Sequence, residues 1–352
     1  MDDTDEVDRG AGHLVHAGNP LRYNDPMRVR YNAYGPWLKQ HFGSRVYKVS
    51  VDGGFTCPNR DGLVARGGCT YCNNDSFRAR GVTARDSIEK QVQSGVAFLS
   101  QRYQAEKFLV YWQHYTNTYA PVERLRDLYT RSLSVDSRVV GLSIGTRADC
   151  VEDEKLDMLC ELARTHFISL EYGLESIYDS TLERVNRGHD RACYEDAISR
   201  TCQRGLPVCT HVILGFPWES REEMLAYPDY LNSLSISFLK IHHLHVVRNT
   251  ALGREYLANP FRTFSYVEWI DFVCDFLERL SADIVVQRLY GWAPDDDLIA
   301  PRWDKSKAEI LRSIQGELDR RDSWQGKKLG TQRTQKTKET QETPGTPGTQ
   351  ET

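Results

Sequence analysis

Short β-rich runs alternate with helix-length amphipathic stretches along most of this 352-residue chain, and that alternation constrains the fold more than any other feature. Strands are predicted at Val46–Val51, Phe108–Trp112, Val139–Ile144, Phe167–Tyr172, Val208–Leu214, Phe238–His243 and Ile284–Leu289. The segments between them carry apolar residues at helical spacing. Ile88, Val92, Val96, Leu99 and Tyr103 keep to one face of a helix predicted over Asp86–Tyr103. Pro121 opens a second helix through Val122, Leu125, Leu128 and Leu133, and Leu156, Leu159, Cys160 and Ala163 stripe a third. Strands separated by helices imply right-handed βαβ units and an α/β fold with a parallel sheet. A closed or partly closed barrel and a doubly wound open sheet both satisfy the pattern, which does not choose between them. Both place their sites at the carboxyl ends of the strands.

The two ends do not share this pattern. Residues 1–25 are polar and without periodicity, and Thr recurs at every third position from Thr331 to Thr352 in triplets such as Thr-Gln-Lys and Thr-Pro-Gly. Segments with so few apolar residues cannot offset the entropy of ordering. The expected organisation is therefore a disordered segment over 1–25, a single (β/α) body with a C-terminal extension over 26–322, and a disordered low-complexity tail over 323–352. The hydrophobic fraction of 40% and charged fraction of 27% suit a globular chain with a large core. No apolar run is long enough to span a bilayer, and the acidic start does not resemble a secretory signal, so no membrane association and a cytoplasmic location are expected. The formal net charge of −4 rules out a global field for nucleic acid and leaves only a local patch for such binding.

Nine cysteines without an export signal argue against a disulfide framework. Three of them follow the first predicted strand, in Val51-Asp-Gly-Gly-Phe-Thr-Cys57-Pro-Asn-Arg-Asp-Gly62 and Arg66-Gly-Gly-Cys69-Thr-Tyr-Cys72, spaced Cys-x11-Cys-x2-Cys. Glycines at 53, 54, 62, 67 and 68 let the backbone fold closely around a compact inorganic group. Three thiolates suit an iron–sulfur cluster or zinc. A structural zinc normally takes four ligands, and no fourth Cys or His follows locally, whereas three cysteines on a [4Fe–4S] cube leave one iron open. The remaining cysteines sit mostly at apolar positions as small core residues, except Cys150, which lies in a post-strand loop beside Arg147 and Asp149 and is a candidate for the substrate side.

Three clustered cysteines after a first strand, with Tyr71 before the last, resemble the radical SAM enzymes. The run Asp52-Gly-Gly-Phe-Thr-Cys-Pro-Asn-Arg-Asp-Gly62 is similar to the YhcC-like group, related to the catalytic subunit of Elongator. The likeness continues in order through Gln113–Tyr119, Ser143–Asp149, Glu171–Ser176, Asn186–Asp190, His211–Pro217, His242–Val247 and Leu298–Trp303, covering about residues 30–315. Two departures stand out: the turn after strand five reads Gly215-Phe-Pro-Trp-Glu219 and is bulkier than usual, and the Cys-x11-Cys spacing is longer than the commonest one.

The resemblance implies a parallel (β/α) partial barrel in which Cys57, Cys69 and Cys72 hold a [4Fe–4S] cluster whose open iron takes S-adenosylmethionine. One electron, from a donor of the flavodoxin or ferredoxin type, would release a 5′-deoxyadenosyl radical that abstracts a substrate hydrogen. The cofactor residues it implies are Tyr71, Gln113, Thr116, Asn117, Thr146, Glu171, Ser176, His211 and Gly215. Thr116 and Asn117 would face the methionine amino group, with a loop-capping role as the alternative. Glu171 stands on an otherwise apolar strand, where a carboxylate rarely stays buried without a partner; the ribose or methionine end, or a buried arginine such as Arg147, would supply one. Glu175 and Ser176 alternatively cap the next helix. His211 would face adenine or substrate, or be a hydrogen-bonded structural residue. His243 and His245 share one strand face with His242 on the other, and line the mouth or await a further metal ligand. Arg60, Arg66, Arg78, Arg80 and Arg85 against Asp61, Asp75 and Asp86 form a local basic stretch. It either balances an anionic cluster or binds a phosphate backbone, which would fit the wobble-uridine modification of tRNA carried out by Elongator. The same chemistry on a small metabolite or protein, and a non-catalytic iron–sulfur or zinc protein, are the competing functions.

Overall fold

The structure, a computed structural model, describes residues 29–73 and 81–329. The expected N-terminal segment, the Thr-triplet tail, Arg78 and Arg80 lie outside the described residues. Seven strands form one parallel sheet: β1 (Val46–Val51), β2 (Lys107–Trp112), β3 (Val139–Thr146), β4 (Phe167–Glu175), β5 (Val208–Leu214), β6 (Phe238–His243) and, after a short strand β7 (Val246–Val247), β8 (Val285–Arg288). They lie side by side in chain order, and β7 pairs separately and antiparallel with β9 (Leu298–Ala300). A doubly wound sheet reverses its order at a switch point. No reversal occurs here, so each crossover returns on the same side and the sheet curls into a partial barrel.

The predicted strands agree with the observed ones to within three residues at each end, and the first three predicted helices appear at Ile88–Tyr103, Val122–Ser134 and Asp153–Ala163. Ser87 caps the first of these by accepting from the Lys90 N–H, and Pro121 stands at the N-cap of the second, where its missing N–H costs nothing. β2, β3 and β4 are buried along nearly their whole length because helices cover the outer face and the barrel lumen the inner one. The main core lies between sheet and helices, where Phe108, Trp112, Tyr129, Leu142 and Tyr194 are fully buried.

Helix Tyr34–Phe42 stoppers the barrel at the amino ends of the strands. Tyr34 and Leu38 pack on Leu109, Cys209, Phe238 and Val285, and Trp37 meets Phe238 edge-on with ring centres 4.9 Å apart. β1 and β8 do not pair with each other. The residues before that helix cover the free edge of β8 instead, with Val286 N–H donating to Asn32 C=O at 2.7 Å, while Lys48 Nζ reaches from β1 to Gln287 Oε1 at 3.2 Å. The lumen therefore opens only toward the carboxyl ends. Residues 323–329, assigned to the tail on composition, pack against the body: Gln325 Nε2 donates to the Ile284 carbonyl at 2.8 Å, and Asn32 N–H donates to Gln325 Oε1 at 2.8 Å. No helix among the described residues is long and apolar enough to cross a membrane.

Candidate active site

Strand β1 ends in a loop folded over the open end of the barrel. Cys57 occupies the N-cap of a one-turn helix, Pro58–Asp61, and Asn59 and Arg60 from that turn reach back toward the other two thiols. Asn59 Nδ2 points at Cys69 Sγ from 3.5 Å and donates to the Asn186 carbonyl at 2.6 Å; Arg60 donates to the Cys72 carbonyl at 2.7 Å. Gly68 takes φ +79°, and a Cβ there would meet Arg60 Nε at 2.9 Å, so the close approach of this turn demands glycine. The loop is pinned to the body by Thr70, whose N–H donates to Val185 C=O at 2.9 Å and whose carbonyl accepts from Leu252 N–H at 2.9 Å.

Cys57, Cys69 and Cys72 line one cavity of about 250 Å³ at the carboxyl ends of the strands. Burial, and then the neighbouring Cys69, push the Cys72 thiol up to about 11. A metal would displace that proton. Among the described residues no three Cys, His, Asp or Glu side chains are grouped to hold a single metal ion. A zinc ion needs its ligands within reach of one centre, whereas each thiolate on a cube meets a different iron. Three thiols spread around one cavity, with Asn59 and Arg187 nitrogens aimed at one sulfur, fit the cluster better than the single ion.

Arg187 joins this wall to β4. Its Nη1 lies 3.8 Å from Cys69 Sγ, its Nη2 donates to the Gly173 carbonyl at 2.6 Å, and Glu175 Oε1 is 3.8 Å away. Its Nε is buried without a hydrogen-bond partner among the described residues, as is the hydroxyl of Tyr71. Arg147 holds Arg187 in place by donating to its carbonyl at 2.8 Å while pairing bidentately with Asp149. Burial raises the Glu175 carboxyl, with Arg187 and Arg147 opposing. Glu175 has φ +69°, and a Cβ on Gly173 would sit 2.2 Å from its Oε1, so the backbone here is shaped to leave room for a carboxylate and a guanidinium side by side. These residues suit the amine, carboxylate and hydroxyl groups of S-adenosylmethionine.

Deeper in the lumen, Glu171 is fully buried between two cations. Lys48 Nζ on β1 donates to Oε1 at 2.7 Å, Lys240 Nζ on β6 donates to Oε2, and His211 Nε2 stands 3.3 Å from Oε2. Burial works against its charge, but Lys240 and Lys48 outweigh that and hold the carboxyl well below the usual range. Arg147, one of the partners expected for Glu171, is engaged by Asp149 instead, and lysines from β1 and β6 reach the carboxylate across the lumen. Burial, and then Lys240, push His211 down to about 4, leaving it neutral.

The opposite wall carries His242, His243, His245, Arg288 and the rim residue Trp292, which is 63% exposed. All three histidines line the cavity. As alternation expects, His242 turns one way, toward His211 and Arg288, while His243 packs on Trp269 and Trp303 and meets His245. Gly291 N–H donates to His243 Nδ1 at 3.2 Å, which places the proton of neutral His243 on Nε2. That nitrogen lies 2.7 Å from His245 Nε2, so His245 keeps its own proton on Nδ1.

Of the residues singled out in the sequence, the cavity brings together Cys57, Cys69, Cys72, Tyr71, Gln113, Thr116, Thr146, Glu171 and His211. Asn117, Ser176 and Gly215 do not line it. The Asn117 amide donates to the Gly145 carbonyl at 2.8 Å, a strand-linking role. Ser176 donates to Glu219 at 2.7 Å and accepts from Tyr227 at 2.9 Å behind the sheet. Gly215 lies on a second cavity, where its N–H faces Met224 Sδ at 3.0 Å. Cys150 is buried away from the cavity, its carbonyl accepting from Thr118 at 2.6 Å. Sequence reasoning passed over Arg187 and Arg288 and read Glu175 as a cap. Its position in Asn186-Arg-Gly-His-Asp190 was the available signal for Arg187.

Residues 57–231 match the model of the radical SAM superfamily, and residues 236–320 that of the radical SAM C-terminal domain. YtqA of Bacillus subtilis is 36% identical, covering 88% of this chain and 95% of that protein. The chain is a radical SAM protein. YhcC of Escherichia coli is 35% identical over 78% of this chain and 88% of that one. A tRNA uridine(34) acetyltransferase of Methanocaldococcus infernus is 28% identical over 39% of this chain and 26% of its own length. The solved Elp3 of the same archaeon superposes with a TM-score of 0.63 at 17% identity, over 80% of this chain and 64% of that one, which establishes the shared fold. Radical SAM enzymes use a [4Fe–4S] cluster and S-adenosylmethionine and need a reductant, and the three cysteines of this chain line one cavity at the carboxyl ends of the strands.

Proposed function

We propose that this radical SAM enzyme directs hydrogen-atom abstraction at a uridine of tRNA. The observation that carries the reading is that one cavity is lined by Cys57, Cys69, Cys72, Arg187 and Glu175 together with His245, Arg288 and Trp292. When bound, the cluster and S-adenosylmethionine supply a carbon-centred radical. The chain supplies everything else. The three cysteines would anchor the irons, with Asn59 and Arg187 donating toward Cys69 to fix its sulfur and temper its charge. Arg187 Nε offers a donor to the methionine carboxylate, and Glu175 an acceptor to the amine or a ribose hydroxyl. Thr116, Thr146 and Gln113 line the floor between them. The aromatic stopper around Tyr34 and Trp37 closes the far end, so a reactive species meets only what enters from the rim.

Kinship with the tRNA uridine(34) acetyltransferase supports a nucleoside substrate, and Trp292 at the rim offers a face on which a base can stack. A donor of the flavodoxin or ferredoxin type would deliver the electron. Nucleoside profiles of tRNA from cells with and without the gene should differ by the loss of one modified uridine. Identical profiles would sink the tRNA reading. The second reading, a small anionic metabolite, is favoured by Arg288, which lines the same cavity as the cysteines.

A further inference from the structure

The inner wall built by β1, β6 and β8 carries more positive charge than its carboxylates balance. Glu171 is shared by Lys48 and Lys240, which leaves that layer one cation in excess. Lys240 pairs in register with Arg288 at the end of β8, and Arg288 lines the same cavity. Among the described residues the one hydrogen-bond partner of Arg288 is His242 Nε2 at 3.4 Å, and none of its partners is a carboxylate. The other acid lining the cavity, Glu175, stands beside Arg187. The histidines add no charge: burial, and then Arg288, hold His242 well below its ordinary range, and His245 is pushed down to about 4. On the cysteine side, Arg60 and Arg187 stand beside thiols that become anionic on ligation. Among the described residues no carboxylate pairs with Arg288.

Arg288 is half-buried, so its guanidinium is partly desolvated without a carboxylate beside it, and its planar fork matches the two oxygens of a carboxylate or phosphoryl group. We infer that this wall is a subsite for an oxyanion on the substrate, with Arg288 as the fork and the Lys48–Lys240 excess as the field behind it. The inference rests on the cavity being the radical SAM active site, and holds for a nucleotide or a carboxylate-bearing metabolite alike.

The test uses the reconstituted full-length protein, saturated with S-adenosylmethionine and titrated calorimetrically with inorganic phosphate and, separately, malonate. At least one probe should bind the wild type, and Arg288→Gln should weaken it about ten- to hundredfold. Preference for phosphate assigns the subsite to a phosphoryl group, and preference for malonate to a carboxylate. If neither probe binds, or if Arg288→Gln binds as well as wild type, the subsite is overturned. The same holds if the variant loses affinity for S-adenosylmethionine rather than for the probes, because the fork then serves the cofactor. Should Arg288→Gln fail to fold, Arg288→Lys keeps the charge without the fork and should still lose affinity for the probe; unchanged binding there overturns the bidentate role. Failure of the radical SAM reading itself is distinguishable, because the wild type would then hold no iron and bind no S-adenosylmethionine before any probe is added.

Discussion

Lys48 Nζ on the first strand and Glu171 Oε1 on the fourth lie 2.7 Å apart across the barrel lumen. With Lys240 on the other carboxylate oxygen, the pair ties three strands together through a residue with no exposed surface. Glu171→Gln keeps the volume and leaves two ammonium groups without a counter-charge. Removing one partner of a buried ion pair costs roughly 3–5 kcal/mol, so the variant should show a clearly lower urea midpoint. Its affinity for S-adenosylmethionine should move far less than that of Glu175→Gln, because both Glu171 oxygens are already taken by lysines. A normal midpoint with lost cofactor affinity would contradict this.

Single replacement of Cys57, Cys69 or Cys72 by Ala should abolish the cluster. Anaerobically reconstituted wild type should be brown, with about four irons per chain, and each variant colourless. Cys274→Ala removes a fully buried sulfur from the helix Tyr266–Arg279 and should leave the iron content intact while lowering stability modestly. Full iron in Cys69→Ala would show that the ligand set is wrong.

Arg187→Lys retains a positive charge but removes the fork that reaches Cys69 and Gly173 together and that we propose also serves the cofactor. Affinity for S-adenosylmethionine should fall about ten- to hundredfold, read by equilibrium titration with the iron content measured alongside. An unchanged dissociation constant would remove Arg187 from the cofactor site.

Stability should decline in acid below about pH 6.5. His211 and His245 are each lowered from 6.5 to about 4 in the folded protein, chiefly by burial. Between those values the unfolded chain binds protons that the folded chain refuses, so stability is lost as pH falls through this window. Two such groups give a slope of roughly 2.7 kcal/mol per pH unit at its steepest. Glu171, depressed by Lys240 and Lys48, contributes stability above the ordinary carboxylate range that is lost below it. Chemical denaturation at pH 7, 6 and 5 measures the slope; a flat profile would mean that these histidines are charged in the fold.

Gln325→Ala should destabilise the protein although it falls in a segment that composition assigns to the tail. Its side chain accepts from Asn32 N–H and donates to the Ser281 and Ile284 carbonyls, at 2.8, 2.5 and 2.8 Å. Stranding buried polar groups costs roughly 1–3 kcal/mol, visible as a lower melting temperature. No change would show that water replaces these bonds.

Much of this protein was legible before folding. Strand positions followed from short apolar runs, and Val46–Val51, Val208–Leu214 and Phe238–His243 match residue for residue, because short runs rich in β-branched and aromatic residues leave a local signature. The cysteine triad was readable because its spacing, its glycines and its place after the first strand are local too. Residues 323–329 were assigned to the tail, yet Gln325 is held by partners at positions 32, 281 and 284 that composition does not see.

The sequence by itself determined the alternation of strand and helix, the three thiols and the glycine-rich loop that presents them. Only the tertiary structure decided between barrel and open sheet, because the order of strands depends on which side each crossover packs. It also decided that Glu171 answers to Lys48 and Lys240, that Arg187 leans on Cys69 from 118 residues away, and that Arg288 lines the cavity with no carboxylate partner among the described residues. Electrostatic partners across a barrel are set by register and curvature, and neither is written in the spacing of a single strand.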